Sequence, residues 1–448
     1  MIRFNEDYIS EVRSIIRTQD NGAALELLKE LHPADIAELY QALELDEAEY
    51  IYTLLDPEVA ADVLAELDDD DRKKLLSHLP HEVIAQHVIQ NMDTDDAVDL
   101  MRDLDEDEQE EILSHIDDME QAGDIVDLLK YDEDTAGGLM GTEMIVVNEN
   151  WSMPECIKEM RNQAEEVDEI YNVYVVDDDY RLVGIFPLKS MITSPSVSKV
   201  KKVMNKEPIS VKTETPIDDV ANDFERYNLI AMPVIDSIGR LVGRITVDDV
   251  MDKVREINER DYQLASGLSQ DVETSDTILT QTTARLPWLL IGMIGGLSNS
   301  IILGKFEDGI MTNPAIALFI PLIGGTGGNV GIQSSAIVVQ GLANGSLNLR
   351  TAGKQILKEA GVGLINASMI SVLVFAYNWF RMGHSAITTS VSLSLFAVVM
   401  FASIFGTIVP LTLEKLKIDP AIATGPFISI TNDIIGMMIY MGITMALS

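Results

Sequence analysis

Long apolar stretches fill residues 287–448, and they constrain the fold of this chain more than any other feature. Each is about as long as a membrane-spanning α-helix, which needs roughly 17 to 25 residues. The five stretches cover residues 287–303, 314–342, 356–380, 387–413 and 420–447. Because lipid cannot satisfy backbone polar groups, helices that bond internally suit such stretches best. The sequence therefore predicts an all-α membrane domain of five helices at 287–448.

The fifth stretch contains one charged side chain, Asp433, about halfway along its length. A charge at that depth costs at least ~2.5 kcal/mol, so an intramembrane carboxylate suggests a functional site. Ser429 and Asn432 add polar groups nearby, and Pro426 frees backbone carbonyls a turn or two earlier. We interpret Asp433 as a cation site on a pathway through the membrane. A hydrogen-bonded packing residue is the alternative.

The second stretch contains a glycine-rich run from Gly324 to Gly331. The run lacks the Lys-Ser/Thr pair of a phosphate-binding loop. Glycines allow membrane helices to approach closely, so packing alone is one explanation for them. Asn329 and Gln333 lie beside the glycines, and these polar side chains favour a helix that faces a pore.

The net charge of −41 belongs to the part of the chain before the membrane domain. Residues 1–286 hold 67 of the 73 acidic residues and 25 of the 32 basic ones. A surface this acidic repels nucleic acid and attracts cations. The single cysteine, Cys156, cannot form a disulfide within the chain, which suits a reducing cytosol. Residues 1–10 show no apolar signal segment, so we expect the acidic half to be cytoplasmic.

Basic residues in the loops between the apolar stretches are unevenly distributed. The positive-inside rule places the richer side in the cytoplasm, which predicts a multi-pass protein of the cell membrane with its C-terminus outside. The richer side holds Arg350, Lys354, Lys415 and Lys417, with Lys358 at the edge, against Lys305 and Arg381 on the other.

Residues 1–130 are predicted to form an acidic, all-α helical solenoid. A leucine recurs every twelve residues from Leu31 to Leu79, and each repeat begins with polar or proline-containing caps such as His32-Pro33. Asp, Asn or Pro at such positions are signals for helix N-termini. Short helices that cannot bury an apolar face alone stack on their neighbours.

A second repeat follows, of strand, turn and strand, at residues 175–184 and again 59 residues later at 234–243. This pattern resembles a tandem pair of α/β CBS domains, which we place at 137–200 and 201–252. The resemblance implies a nucleotide site, with ATP as the ligand, at the Thr-x-x-Asp formed by Thr246 and Asp249. The first copy has Pro187 and Ser190 in those places, so the site is expected at the second copy.

A helix is predicted from Asp248 to about Thr283, with an interruption or bend at Gly267. Its part at 253–283 is assigned as the linking segment to the membrane domain. Acidic residues line one side at spacings of three and four, where like charges repel unless cations or a basic partner meet them. A solvated face is the alternative.

Taken together, the chain resembles the MgtE family of magnesium channels over essentially its whole length. The most specific parts are Gly-Thr-Gly-Gly-Asn at Gly325–Asn329 and the stretch from Pro426 to Asp433. The resemblance implies a homodimer with its pore on the twofold axis, a hydrated ion held by Asp433 and by carbonyls near Ser429, and a plug role for the linking helix. Ile332 and Gly425 depart from the asparagines common in the family.

The residues themselves favour Mg²⁺, which keeps most of its water and is usually held by one or two carboxylates. Co²⁺ and Ni²⁺ are expected to pass as well, since carboxylate sites bind them no more weakly. Asn329 and Asn432 complete the predicted pore set with Asp433 and Ser429. Carboxylates in the cytoplasmic half are predicted to bind regulatory Mg²⁺ and close the pore. The predicted sensors are Asp95, Asp99, Glu214, Asp218, Asp248, Asp249, Asp252, Glu256 and Glu259.

Two alternatives to a gated channel stay open at this stage. One is a CBS-regulated secondary transporter of divalent cations, against which five spans with a single carboxylate argue, since such carriers often carry several charges at mid-membrane depth. The other is a membrane-anchored Mg²⁺ sensor that transports nothing. An enzyme is not expected, because the sequence shows no nucleophile–base pair, zinc signature or phosphate loop.

Overall fold

A computed structural model describes most of the chain and divides it into two compact units, Met1–Val254 and Arg255–Ser448. The described residues are 6–29, 31–67, 69–164, 167, 170–193, 198–270, 272, 276–343, 345–423 and 425–447. The first unit contains helices followed by two small sheets, and the second contains long apolar helices. The predicted fold class, a helical domain, a CBS pair, a linking helix and five membrane-capable helices, is confirmed.

Ten short helices form the first part of unit 1. After α7 the chain continues as a π-helical turn at Ile84–Val88 and a 3-10 turn at Ile89–Asn91. The helices are α1 (Glu6–Thr18), α2 (Asn21–Leu28), α3 (Pro33–Gln41), α4 (Leu45–Tyr52), α5 (Pro57–Ala65), α6 (Asp69–Leu76), α7 (His81–Val83), α8 (Thr94–Arg102), α9 (Glu106–Ser114) and α10 (Met119–Leu128).

The twelve-residue leucine repeat marks the ends of these helices. Leu31, Leu43 and Leu55 each donate a backbone N–H to the carbonyl three residues earlier, in the last turn of the preceding helix. Leu67 and Leu79 do the same. Each leucine thereby satisfies a carbonyl that a helix end leaves without an intrahelical partner. The period of twelve is therefore the length of one short helix and its connection.

Two three-stranded sheets follow, with the same order and the same mixed pairing. In each, the first two strands are parallel and the last two form an antiparallel hairpin. Asp177 and Asp236 occupy equivalent hairpin turns, where each carboxylate accepts backbone N–H groups two and four residues ahead. The elements are β1 (Ile145–Asn148), α11 (Met153–Gln163), β2 (Asn172–Val176), β3 (Leu182–Pro187), α12 (Leu188–Thr193), α13 (Val200–Val203), β4 (Val211–Lys212), α14 (Ile217–Tyr227), β5 (Ala231–Ile235) and β6 (Leu241–Thr246).

The linking helix, α15, runs from Val247 to Ser266 and is shorter than predicted. Gly267 adopts a φ of +87°, and Leu268 donates its N–H to the carbonyl of Gln263, so the helix ends in a left-handed glycine cap. The prediction that this helix continues to Thr283 is wrong. Helix α15 ends at Ser266, and the next helix begins at Ile278, well before Pro287.

Among the described residues of unit 2, five helices are long and apolar enough to cross a membrane. The short helix α17 (Glu307–Thr312) and 3-10 turns at Pro314–Phe319 and Pro420–Ala423 join them. The five are α16 (Ile278–Lys305), α18 (Ile320–Ala343, extended to Pro314 by the 3-10 turn), α19 (Ala352–Met382), α20 (Ala386–Lys415) and α21 (Gly425–Leu447).

Helix α20 forms the centre of this bundle. In the most apolar 18-residue segment of α20, 56% of the residues are buried, whereas in that of α16 only 6% are. Val391, Leu395 and Val398 on α20 pack with Tyr440 on α21 and Ile323 on α18 in one buried cluster. Because α16 and α19 leave most of their apolar surface uncovered, that surface suits lipid or a second copy of the chain.

Candidate cation sites

Helices α18 and α21 meet along a glycine face of α18. Gly324, Gly328 and Gly331 follow one another at spacings of four and three, which places them on one side of a helix. A Cβ atom on Gly324 would lie 3.4 Å from Oδ1 of Asp433, and one on Gly328 would lie 3.0 Å from Oγ of Ser429. The missing side chains therefore create the room in which these two polar groups of α21 lie.

Asp433 and Ser429 are one helical turn apart on α21 and share this face. Both are partly exposed in the single chain, so their oxygens are open to solvent or to a partner. Eight residues separate Asp433 from the start of α21 at Gly425, which places the carboxylate roughly 12 Å along the helix. An oxygen-rich position at that depth fits a hard, hydrated cation.

A polar, exposed stripe runs along α18 beside the glycine face. Gly325, Asn329 and Gln333 recur every four residues, and all three are exposed. Amide side chains that faced hydrocarbon would be left without hydrogen-bond partners, at a cost of several kcal/mol. This stripe therefore suits an aqueous surface, and Asn329, predicted from sequence, belongs to it.

Asn432 is in a different position from its neighbour Asp433. Its side chain is buried, 1% exposed, and a Cβ atom on Gly331 would overlap its Nδ2 atom. Within the described part of the chain, neither amide atom of Asn432 has a hydrogen-bond partner. Successive residues on a helix point about 100° apart, so Asn432 packs between helices while Asp433 lies at the open face.

In unit 1, three carboxylates converge between the helical domain and the sheets. Oxygens of Asp93, Asp95 and Glu143 all lie within 4.8 Å of one another. A Cβ atom on Gly141 would lie 3.0 Å from both Asp95 and Glu143, so glycine is needed for this approach. We call Asp93, Asp95 and Glu143 the acidic triad. Three carboxylates at this separation form the kind of group that holds Mg²⁺ or Ca²⁺.

Burial and neighbouring carboxylates both raise the pKa of carboxyl groups in this cluster. Burial raises the pKa of Asp95 well above its ordinary value, and the nearby Asp249 carboxylate raises it further. Burial also raises the pKa of Asp249, against hydrogen bonds from Thr246 that lower it. A divalent cation in the triad would offset the repulsion that these shifts reflect.

Asp99, one turn beyond Asp95, has basic neighbours instead. Burial raises the pKa of Asp99 to about 6, although Arg102 and Lys253 lower it. Oδ1 of Asp99 accepts a hydrogen bond of 3.1 Å from Arg102. The Asp99 side chain is 54% exposed. Among the described carboxylates, Asp95 is the one predicted sensor that joins the triad, with Asp249 beside it. The other predicted sensors are exposed, namely Glu214, Asp218, Asp248, Asp252, Glu256 and Glu259.

The predicted nucleotide contacts, Thr246 and Asp249, are joined to each other. Oδ2 of Asp249 accepts hydrogen bonds from the backbone N–H of Thr246 at 2.9 Å and from its hydroxyl at 2.5 Å. This pairing orients the Asp249 carboxylate at the start of α15. Asp249 thus lies beside both the Thr-x-x-Asp position and the acidic triad.

Comparison with known proteins assigns each part of the chain. Residues 320–443 match the MgtE divalent cation transporter domain, 31–134 match the MgtE intracellular N domain, and 136–195 and 200–256 match CBS domains. The magnesium transporter MgtE of Thermus thermophilus is 31% identical over 96% of each chain. The chain belongs to the MgtE family. The Enterococcus faecalis MgtE is 33% identical over 98% of this chain and 96% of its own.

Solved structures agree with the MgtE assignment in the N-terminal half. The soluble part of a magnesium transporter covers 56% of this chain with 30% identity and a TM-score of 0.51. The cytosolic domain of the Mg²⁺ channel MgtE in complex with ATP covers 55%, with 30% identity and a TM-score of 0.52. These MgtE relatives are transporters, which confirms the expectation that the chain is not an enzyme.

The MgtE matches show how the triad is assembled. Asp93 and Asp95 lie in the N-domain match, and Glu143 and Asp249 lie in the first and second CBS matches. Sequence reasoning named Asp95 and Asp249 but missed Asp93 and Glu143. Since about fifty residues separate Asp93 from Glu143, no local spacing could have joined them. The sequence feature that comes closest to marking this site is Gly141, two residues before Glu143, where a side chain would crowd both Asp95 and Glu143.

A second carboxylate in the transporter domain corrects the sequence analysis. Glu359 lies in α19 and is buried, 6% exposed. The expectation that the five spans carry a single carboxylate is therefore wrong, because the predicted span at 356–380 itself contains Glu359. In the structure α19 begins at Ala352, which brings Glu359 two turns into the helix.

Proposed function

We propose that this protein is a homodimeric Mg²⁺ channel that admits divalent cations to the cytosol and closes when cytosolic Mg²⁺ binds its acidic N and CBS domains. The observation that carries this proposal is the placement of Asp433 and Ser429 at the open glycine face of α18. We assign the pore to α18 and α21 of the two copies. The C-terminus is then outside and the N-terminal unit is cytoplasmic.

The exposed polar stripe of α18 supports a pore at this face. In a single chain Asn329 and Gln333 are exposed and Asp433 is partly exposed at membrane depth, where contact with lipid would be unfavourable. A second copy placed against the same face would enclose these groups around water. A twofold arrangement also supplies two Asp433 carboxylates, one from each copy of the chain.

The proposed selectivity follows from the ligands at hand. Two carboxylates, hydroxyl groups and carbonyls can bind a largely hydrated Mg²⁺ through its water without stripping it. Softer metals prefer thiolate or imidazole ligands. Residues 287–448 contain no cysteine, and their one histidine, His384, lies in the connection between α19 and α20. Co²⁺ and Ni²⁺ are accordingly expected to permeate, because the size and charge of these two ions resemble those of Mg²⁺.

Gating is proposed to depend on the acidic triad and Asp249. When the triad is empty, its charges repel the N domain from the CBS pair, and a bound Mg²⁺ reverses this effect. One site occupied at a hundred times its dissociation constant contributes ~2.7 kcal/mol to the compact state. Two such sites per protomer approach the ~5.5 kcal/mol that moves an equilibrium from 1:99 to 99:1. The exposed carboxylates of α15 are proposed to supply the second site.

ATP is proposed to bind the CBS pair at Thr246 and Asp249. The support is the ATP complex of the similar MgtE cytosolic domain and the paired side chains at this position. A ribose hydroxyl would then compete for the hydrogen bonds that Thr246 now donates to Asp249.

The test of the pore is Mg²⁺ uptake into proteoliposomes by Asp433→Asn, which keeps the volume and removes the charge. Glu414→Gln is the matched control, because Glu414 is an exposed carboxylate near the end of α20. We expect Asp433→Asn to lower uptake at least about a hundredfold if each of two carboxylates contributes ~1.4 kcal/mol or more. Glu414→Gln should transport as the wild type does.

Planar-bilayer recording then separates the alternatives. Resolvable unitary currents that vanish in Asp433→Asn support a channel. Ion flux without unitary currents would favour the secondary transporter, and unchanged uptake in Asp433→Asn would refute the pore assignment.

A further inference from the structure

Glu359 joins three membrane helices. Its Oε1 atom accepts a hydrogen bond of 2.7 Å from the hydroxyl of Ser334 on α18 and one of 2.9 Å from Ser403 on α20. The two serine oxygens lie 3.5 Å apart. All three side chains are buried. One carboxyl oxygen thus connects α19 to the helix that carries the glycine face and to the central helix.

The backbone around this junction is fitted to it by glycines. A Cβ atom on Gly363, one turn after Glu359, would lie 2.8 Å from Oγ of Ser403. A Cβ atom on Gly406 would overlap the carbonyl oxygen of Gly331. Close approach of α18 and α20 therefore coincides with the hydroxyl–carboxyl contacts. We call Ser334, Glu359 and Ser403 the Glu359 junction.

The junction lies next to the part of α18 that faces α21. Ser334 follows Gly331 by three residues, and Gly331 is the glycine against which Asn432 packs. Asn432 directly precedes Asp433. A displacement of α18 at Ser334 would therefore shift the glycine face relative to the carboxylate. A buried glutamate is costly in a membrane helix, and an apolar side chain would fill the same space more cheaply.

We propose that Glu359 is a positioning residue for ion permeation, which holds α18 in register with α20 so that the glycine face receives Asp433. Glu359 does not touch the ion in this role. The inference rests on the proposed pore function of Asp433.

The first test compares Glu359→Gln, Glu359→Leu and Glu359→Ala in proteoliposomes, with uptake normalised to folded protein measured by size exclusion. Glutamine keeps an oxygen acceptor and should retain uptake within about twofold of wild type. Leucine and alanine lose both interhelical hydrogen bonds. Each bond shifts the equilibrium between α18 in register and α18 displaced several-fold, so uptake per folded protein should fall about tenfold. Equal uptake by the leucine, alanine and wild-type proteins would overturn the proposal, even if their thermal stability fell.

The second test restores the register without the carboxyl group. Cys156 is the single cysteine of the chain, so Cys156→Ala gives a background for a disulfide from Ser334→Cys and Ser403→Cys. In the Glu359→Ala protein, oxidation of this pair should raise uptake several-fold, and reduction should reverse the gain. Uptake that stays at the Glu359→Ala level despite a complete cross-link, verified by mass spectrometry, would overturn the proposal.

The Asp433→Asn protein distinguishes a failure of the positioning role of Glu359 from a failure of the pore assignment. If Asp433→Asn transports normally, the pore assignment fails and the positioning role falls with it. If Asp433→Asn is inactive while Glu359→Leu transports as wild type does, the positioning role alone is refuted.

Discussion

Replacing Asp95 by Asn should stabilise the N-terminal unit, Met1–Val254, without Mg²⁺ and remove most of its stabilisation by Mg²⁺. The carboxylates of the acidic triad lie within 4.8 Å of one another. At that distance a pair of charges repels by about 0.9 kcal/mol in water and by about 3.5 kcal/mol at an effective dielectric constant of 20. Asp95→Asn removes two of the three pairwise repulsions.

The lower limit applies, because all three carboxylates of the triad are partly exposed, and solvent screens their charges. We therefore expect about 2 kcal/mol of stabilisation in Mg²⁺-free buffer. For a unit the size of Met1–Val254 this corresponds to a rise in Tm of roughly 4 to 8 °C. Wild-type protein should gain ~2.7 kcal/mol from Mg²⁺ at a hundred times its Kd, and Asp95→Asn should gain much less.

The assay is thermal unfolding of the full-length protein in detergent, followed in EDTA and across a Mg²⁺ titration. Glu110→Gln is the matched control, since Glu110 is an exposed carboxylate on α9, and it should respond to Mg²⁺ as wild type does. If Asp95→Asn kept the full Mg²⁺-dependent rise in Tm, the acidic triad would not be the cation site, and the reasoning from its geometry would be refuted.

Two further predictions concern the same region. Burial raises the pKa of Asp95 and Asp249, so the folded protein binds more protons than the unfolded chain as pH rises above about 4. In EDTA the Tm should therefore fall as the pH is raised above about 4, and a flat profile would contradict this. Thr246→Val should weaken ATP binding about tenfold by calorimetry, because valine lacks the hydroxyl that is proposed to hydrogen-bond the ribose. Ser190→Ala is its control in the first CBS copy, and equal affinities would contradict the site.

Much of the fold was predictable because its signals are local. The leucine period and the helix caps act within one turn of the backbone, and the structure places them at helix ends. Gly267 was correctly marked as an interruption, because a left-handed residue favours glycine. How far α15 and α16 extend was not predictable. Helix α15 ends at the left-handed Gly267, and α16 begins after Thr277, whose side chain accepts a hydrogen bond from the backbone N–H of Thr280.

By itself, the sequence determined the composition of the parts: an acidic helical half, a repeated strand hairpin and five apolar helices with Asp433 in the last. Only the tertiary structure decided which side chains meet. Asp93 meets Glu143 because two domains fold together, and Glu359 meets Ser334 and Ser403 because three helices pack. Adjacent residues such as Asn432 and Asp433 separate for the same reason, since helix rotation and packing, which involve residues distant in sequence, determine which face each one occupies.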